Sequence, residues 1–310
     1  MRRVDQDVKP VLVLLTIALA FQVALSQDNP VTPSSVPPVS ATGIAATLSS
    51  DQLRELIRRV AESDIENDKK QLNYTYIERV EEHRLDGKGQ VKSTEIRTRE
   101  IMVLYGGQVE RLIAKNDKPL PEKDAKDEEE RIQKLSDRRK NETDKQRAKR
   151  IVQEEKDREE TRQFVSEIVN AYNFRLVGME ILEGRKTYVI DANPRSGFEP
   201  HVKGAKFLPK FHFRVWIDEA ENQWVKLDAE AIDTVSVALS MARFHKGSRI
   251  LIEQTRVNDE VWLPKYIGLN VGVRLALVKD LNITQDITYR DYKKFRTDTR
   301  IVPLETPARP

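Results

Sequence analysis

The sequence has no cysteine. That excludes disulfide bridges, a thiolate nucleophile and any Cys-based metal site, and it leaves no cysteine after the N-terminal apolar run to carry a lipid anchor. Charge of one sign is also missing: 53 Lys and Arg stand against 50 Asp and Glu, a formal net charge of +3. Phosphate binding needs a basic surplus on one face, so the balance argues against nucleic acid as a partner. Histidine is scarce, with His83, His201, His212 and His245 far apart and no His-Glu-x-x-His pattern. There is no Gly-x-Ser-x-Gly elbow. Gly268 and Gly272 frame a Gly-Leu-Asn-Val-Gly stretch, read as a loop, that lacks both the spacing and the lysine of a phosphate cradle. No nucleophile, base or metal constellation emerges, so the expectation is a protein that is not an enzyme and uses no cofactor or metal.

A membrane-spanning run is lacking too. Val11 to Leu25 is apolar apart from Thr16 and Gln22, short of the ~20 residues a span requires. Arg2, Arg3 and Lys9 precede it and Ala24-Leu25-Ser26 follow, which reads as a signal peptide over residues 1–26 cleaved after Ser26. The alternative is an uncleaved signal anchor. The expectation is export to the periplasm, with a secreted or signal-anchored protein as the alternative. Residues 27–48, with Pro30, Pro33, Pro37 and Pro38 among Ser, Thr and Ala, read as a disordered linker.

What is present is alternation. Phe211, Phe213, Val215 and Ile217 occupy every second position, with His212, Arg214, Trp216 and Asp218 between them. A period of two puts the two sets on opposite faces of a strand. The pattern recurs at Val225–Ala229, Val235–Leu239, Ile250–Ile252, Val261–Leu263, Leu275–Leu277 and Ile287–Phe295, with a tight turn at Asn258-Asp259. Short connections imply an antiparallel meander. A second meander precedes it, from Tyr74 to Glu82, Val91 to Leu104 and Val109 to Ala114, and a hairpin turns at Glu183-Gly184. Helices flank the strands. Ser49 or Ser50 can cap one that carries Leu53, Leu56, Ile57 and Val60 at helical spacing, and Phe164, Val165, Ile168, Val169 and Tyr172 form a second stripe. Residues 121–163 hold Lys/Arg and Asp/Glu in equal number and few apolar residues, which predicts an exposed charged helix or helical hairpin without a sustained heptad. Residues 195–209 read as a loop. The fold class is α+β: a curved antiparallel sheet or unclosed β-barrel with helices on its concave side, plus the charged helical insertion, all in one domain over residues 49–302 with a tail at 303–310.

Aromatic residues make up only 6% of the chain, yet Trp216, Trp224 and Trp262 all fall in the C-terminal half. Two readings of that cluster stand: an ordinary core between sheet and helices, or an apolar pocket for an acyl chain. The pocket reading assigns lipid contact to Phe211, Phe213, Val215, Trp224, Trp262, Leu275 and Tyr289.

Four segments in order, Gly184-Arg185-Lys186-Thr187-Tyr188-Val189-Ile190, Phe213-Arg214-Val215-Trp216-Ile217-Asp218, Asp259-Glu260-Val261-Trp262-Leu263-Pro264 and Tyr289-Arg290-Asp291-Tyr292-Lys293-Lys294-Phe295, resemble the periplasmic lipoprotein-carrier superfamily of the LolA/LolB type, in particular its outer membrane lipoprotein-sorting branch. The resemblance implies an unclosed barrel with helices plugging its concave side, and a role in carrying or sensing lipids or lipoproteins. The sequence departs from it in the charged insertion and the long 195–209 loop. The expected function is an exported carrier for a lipid or lipoprotein acyl chain. The alternative is a regulator or scaffold that meets a protein partner through residues 121–163.

Overall fold

Ser49 starts the first helix, α1 (Ser50–Gln71). Its hydroxyl accepts from the Gln52 amide, while the Gln52 side chain accepts from the Ser49 N–H, a capping box that satisfies two otherwise orphaned donors. Leu53, Leu56, Ile57 and Val60 are buried and pack on Ile190 and Ile217 of the sheet. The structure, a computed structural model, describes residues 48–105, 107–202, 205–237, 242–275 and 279–295. The signal segment, nearly all of the expected linker and the tail lie outside the described residues.

The strands are β1 (Tyr74–Leu85), β2 (Val91–Leu104), β3 (Gly107–Lys115), β4 (Lys118–Pro119), β5 (Tyr172–Leu182), β6 (Arg185–Pro194), β7 (Phe211–Asp218), β8 (Trp224–Ala231), β9 (Val235–Val237), β10 (Ala242–Phe244), β11 (Arg249–Val257), β12 (Val261–Leu275) and β13 (Lys279–Lys294). They form one antiparallel sheet in the order β4-β3-β2-β1-β13-β12-β11-β8-β7-β6-β5, with β10 branching from β12 and β9 from β10. The two outermost strands, β4 and β5, do not pair with each other, so the barrel is unclosed. The two meanders of the sequence are one sheet because β1 pairs with β13, from Tyr74↔Lys294 to Leu85↔Asn282. Asn258 and Asp259 both have positive φ, 52° and 53°, as a type I′ hairpin turn requires.

Between β4 and β5 lie α2 (Glu122–Lys140) and α3 (Asp144–Ala171). The charged segment is thus a helical hairpin, as expected. Thr143 caps α3 through a capping box with Gln146. Two expectations need correction. Phe164 to Ala171 is not a separate helix: it is the last part of α3, which runs 28 residues without a break. Nor does α2 stand off as a fully exposed arm. Ile132 is buried against Leu104 and Val109, with Leu135 beside it. A single apolar pair at i, i+3 is enough to seat an otherwise charged helix on the sheet edge. Glu128 then accepts from the Leu112 amide at 2.7 Å, and Arg139 donates to the Leu104 carbonyl at 2.8 Å.

Two expected loops are also structured. Ala205–Lys210 is a 3₁₀ turn that buries Ala205 and Leu208. Gly268 and Gly272 are interior to β12, not in a loop. A Cβ on Gly268 would sit 2.7 Å from the Tyr266 hydroxyl, so the glycine there makes room for a neighbouring ring.

Candidate functional site

Alternation on neighbouring strands builds an apolar row across the concave face. Val215 pairs with Leu227, Leu227 with Ile252, Ile252 with Ile267 and Ile267 with Ile287. The row crosses five consecutive strands at constant parity, so every member faces the same way. Helices α1 and α3 do not fill the space in front of it. Between sheet and helices lies a cavity of ≈ 870 Å³. Phe213, Val215, Leu227, Ile252 and Ile267 line it from the sheet, Ile57 and Val60 from α1, and Phe164 and Ile168 from α3. The volume falls in the range of about 300–1,000 Å³ typical of small-molecule sites.

Polar groups enter this wall at defined places. Asp64 of α1 is half-buried at the cavity and accepts from Trp224 Nε1 at 2.7 Å and Gln223 Nε2 at 3.1 Å. Burial pushes its carboxyl above the ordinary range, and the two hydrogen bonds only partly oppose that. Glu78 of β1 sits opposite Tyr289 of β13. Burial raises this carboxyl too, against the pull of Arg99, whose Nη1 lies 2.8 Å away. Burial likewise holds the Tyr289 phenol well above its usual value. Gln254 of β11 lines the cavity with its Oε1 buried and without a hydrogen-bond partner.

The charged hairpin closes the other side. Arg131, Arg138 and Arg139 of α2, Glu142 of the turn and Arg150 of α3 line the cavity there. Arg150 pairs with Glu142 at 3.1 Å, and Arg131 donates to the Glu110 carbonyl. The insertion therefore contributes wall to the site. Among the described residues, no group of three or more acidic or histidine side chains is placed to hold a metal ion, and no helix is long and apolar enough to cross a membrane.

Of the seven residues assigned to lipid contact from the sequence, Phe213, Val215, Trp224 and Tyr289 line the cavity. Phe211 does not line it: it is buried beside the wall, on the same face of β7 as Phe213 and stacked on it with ring centroids 6.0 Å apart. Trp262 is placed elsewhere: it packs with Val189, Trp216 and Val225, and the guanidinium of Arg185 lies 5.3 Å from its ring. Size and aromaticity suggested it; its place just after the β11–β12 turn puts it outside the chamber. Leu275 ends β12, and its side chain lies outside what is described. The sequence reading missed Leu227, Ile252 and Ile267, which are aliphatic, and Phe164 and Ile168, which were assigned to helix packing alone. The sequence held no signal that groups the three strand residues with Val215, because which face each shares depends on the register of β8, β11 and β12 and on the bulge in the β7–β8 pairing.

No model of a protein family matches the sequence, and no curated protein does. Solved structures are similar in the course of the chain. One is an outer membrane lipoprotein-sorting protein domain from Vibrio parahaemolyticus, at 11% identity over 79% of this chain and 95% of that chain, with a TM-score of 0.32. Another is MucB in complex with MucA(peri), at 12% identity, 78% and 98% coverage and a TM-score of 0.22. A third is a LolA superfamily protein from Nitrosomonas europaea, at 8% identity over 81% of this chain and 94% of that chain, with a TM-score of 0.29. The structures to which this chain is similar thus include the LolA and lipoprotein-sorting types that its sequence motifs resemble.

Proposed function

We propose that this protein is an exported carrier that holds an acyl chain, of a lipid or a lipoprotein, in the chamber between sheet and helices. The observation that supports this reading is the Val215–Leu227–Ile252–Ile267 row facing an ≈ 870 Å³ space instead of packed side chains. Each methylene moved from water into such a wall gains about 0.8 kcal/mol. Ten methylenes supply about 8 kcal/mol, which corresponds to a micromolar dissociation constant before ordering costs are subtracted. Phe213, Val215, Trp224 and Tyr289 make the aromatic and branched part of the contact; Phe211 stacks on Phe213 beside it.

Native mass spectrometry on protein prepared from its own host without detergent tests the reading. The expected result is a co-purifying mass that fragments to acyl chains. An unliganded protein that also fails to take up a fatty acid or an acylated peptide would overturn it. The rival reading, a regulator or scaffold working through residues 121–163, draws support from the exposed charged outer faces of α2 and α3. Crosslinking in cells distinguishes the two: a protein captured on that hairpin, in a chain free of lipid, favours the rival.

A further inference from the structure

The chamber changes character along the sheet. From β6 to β12, in sheet order, the described strand residues that line it include no charged side chain. From β13 through β3 the wall turns polar, with Tyr289, Tyr76, Glu78, Gln108 and Glu110. The arginines of the lining, Arg131, Arg138, Arg139 and Arg150, all come from the α2–α3 hairpin. That hairpin is tied to the same end: Arg131 donates to the Glu110 carbonyl of β3, and Arg139 to the Leu104 carbonyl of β2 at 2.8 Å. Glu110 pairs with Ile101, and Ile101 with Tyr76. Tyr76 therefore lies two strand spacings, about 10 Å, from the strand that Arg131 holds.

The carboxylates at this end are matched by guanidinium groups. Glu78 and Glu110 lie 2.8 and 3.5 Å from Arg99, Glu142 lies 3.1 Å from Arg150, and Glu128 lies 2.8 Å from Arg131. With Arg99 and Glu128 included, five guanidinium groups stand against four carboxylates. The other carboxylates of the lining, Asp64 and Asp68, are on α1, which is held to Trp224 of β8 and Trp262 of β12. Those strands are six and four spacings from β3, about 29 and 19 Å along the sheet.

Tyr76 adds a donor at the cationic end. Its ring packs 5.8 Å from those of Tyr289 and Tyr292 and lines the chamber. Its hydroxyl makes no hydrogen bond among the described residues and is not sealed from solvent. A phenol in that position donates to whatever acceptor fills the space in front of it.

We propose that the α2–α3 end of the chamber is a head-group subsite for an anion, the carboxylate or phosphate of an amphiphile, drawn by the hairpin arginines and bonded by the Tyr76 hydroxyl, while the chain runs toward β7 and β8. This rests on the reading of the chamber as an acyl-chain site and adds which head it takes and which way the ligand lies.

The test titrates decanoate, decyl phosphate, 1-decanol and decylamine, which share a chain and differ at the head, into the full chain by isothermal titration calorimetry below each probe's micelle concentration. Both anions are expected to bind about fivefold to tenfold tighter than the alcohol, the effect of one hydrogen bond gained, and the amine is expected to bind weakest. Raising the salt should shrink the advantage of the anions. Arg138 is exposed, so Arg138→Gln should fold normally while cutting that advantage, and Arg138→Lys should keep most of it. Tyr76→Phe removes only the hydroxyl and should cut it as well. Lys134→Gln makes the same charge change on α2 outside the lining and should leave the preference intact. The order of decanoate and decyl phosphate shows which anion the subsite fits better. Equal binding of charged and neutral probes, a preference that survives both Arg138→Gln and Tyr76→Phe, or one that Lys134→Gln weakens as much, would overturn the subsite and leave the carrier reading standing. Binding of none of the four would remove both.

Discussion

Asn67 holds Trp262 as a neighbouring strand would. Its Oδ1 accepts from the Trp262 amide at 2.7 Å, and its Nδ2 donates to the Trp262 carbonyl at 2.8 Å. Gln71, one turn on, donates to the same carbonyl at 2.9 Å. A helix side chain thus completes the backbone of β12 where the Val257↔Val261 pair ends the ladder with β11. Both residues are buried, so water cannot replace the bonds.

Removing that clamp gives the first prediction. Asn67→Ala leaves the Trp262 amide without a partner, while its carbonyl keeps Gln71. The expected loss is about 1–3 kcal/mol. Asn67→Asp keeps the acceptor and should retain the amide bond while losing the one to the carbonyl. Urea unfolding of the two variants checks the order. If Asn67→Ala is as stable as wild type, the clamp does not anchor α1.

Asp64 carries the second prediction, and its sign is opposite to that of an ordinary ion-paired carboxylate. Burial raises its carboxyl, with the bonds from Trp224 and Gln223 opposing. The folded chain therefore holds a proton that the unfolded chain releases near pH 4, at about 3.9. Across the window from about pH 4 up to the raised folded value, the native state binds more protons, so stability falls as pH rises. Asp64→Asn keeps an oxygen for both donors and removes the titration. It should melt higher than wild type at neutral pH, with the gap closing toward pH 4. A constant gap across that range would show that Asp64 is ionised throughout.

The strands were legible because their period of two survives in the sequence: the first residues of β2, β7 and β13's aromatic end, and the turn at Asn258-Asp259, follow from alternation and turn chemistry alone. The helix carrying Leu53, Leu56, Ile57 and Val60 was legible for the same reason at its own period. Pairing between β1 and β13 was not, because the partners lie some two hundred residues apart and nothing local sets their register. Trp262 was misplaced because residue size was weighed above position. Gln254 was invisible: a single polar residue at a strand's bulge, where pairing shifts between Glu253 and Gln254, leaves no mark on a periodic pattern. The seating of α2 was hidden by the charge around Ile132 and Leu135, although those two residues are where its contact is made.

A third prediction concerns acid. Asp191 is nearly buried between Arg175 at 2.5 Å and Arg214 at 2.7 Å. Burial works to raise its carboxyl, but the hydrogen bond and charge of Arg214, with Arg175 beside it, hold it below the usual range. The unfolded chain therefore takes up its proton first, near pH 4. The stability this group supplies is fully present above that pH and is lost as pH falls through the lower folded value. Arg175 is 67% exposed and Arg214 42%, so water and salt weaken both pairs. Asp191→Asn should cost only about 1 kcal/mol at pH 7. Its acid unfolding limb below pH 4 should be shallower than that of wild type, as read by circular dichroism against pH.

The last prediction separates an open chamber from a filled core by comparing two isoleucines of similar burial. Ile217 packs against Leu53, Leu56 and Val60 of α1 with none of its surface exposed. Ile252 is 7% exposed, but one side of it faces the chamber. Truncating a residue with neighbours all round opens a new void, and the cost grows with the volume left behind. Ile217→Ala should cost about 4–5 kcal/mol, near the top of the usual range. Ile252→Ala enlarges a space that already exists and forfeits fewer contacts, so it should cost about 2 kcal/mol. The reverse change discriminates further. Ile217→Phe overpacks and should destabilise by about 1–3 kcal/mol, whereas Ile252→Phe can grow into the chamber with little change in stability while weakening uptake of an acyl probe. Chemical denaturation of the four variants, with probe binding measured on the two at position 252, decides the matter. Equal penalties at both positions would mean that the chamber is closed by packed side chains, and the carrier reading would fall with it.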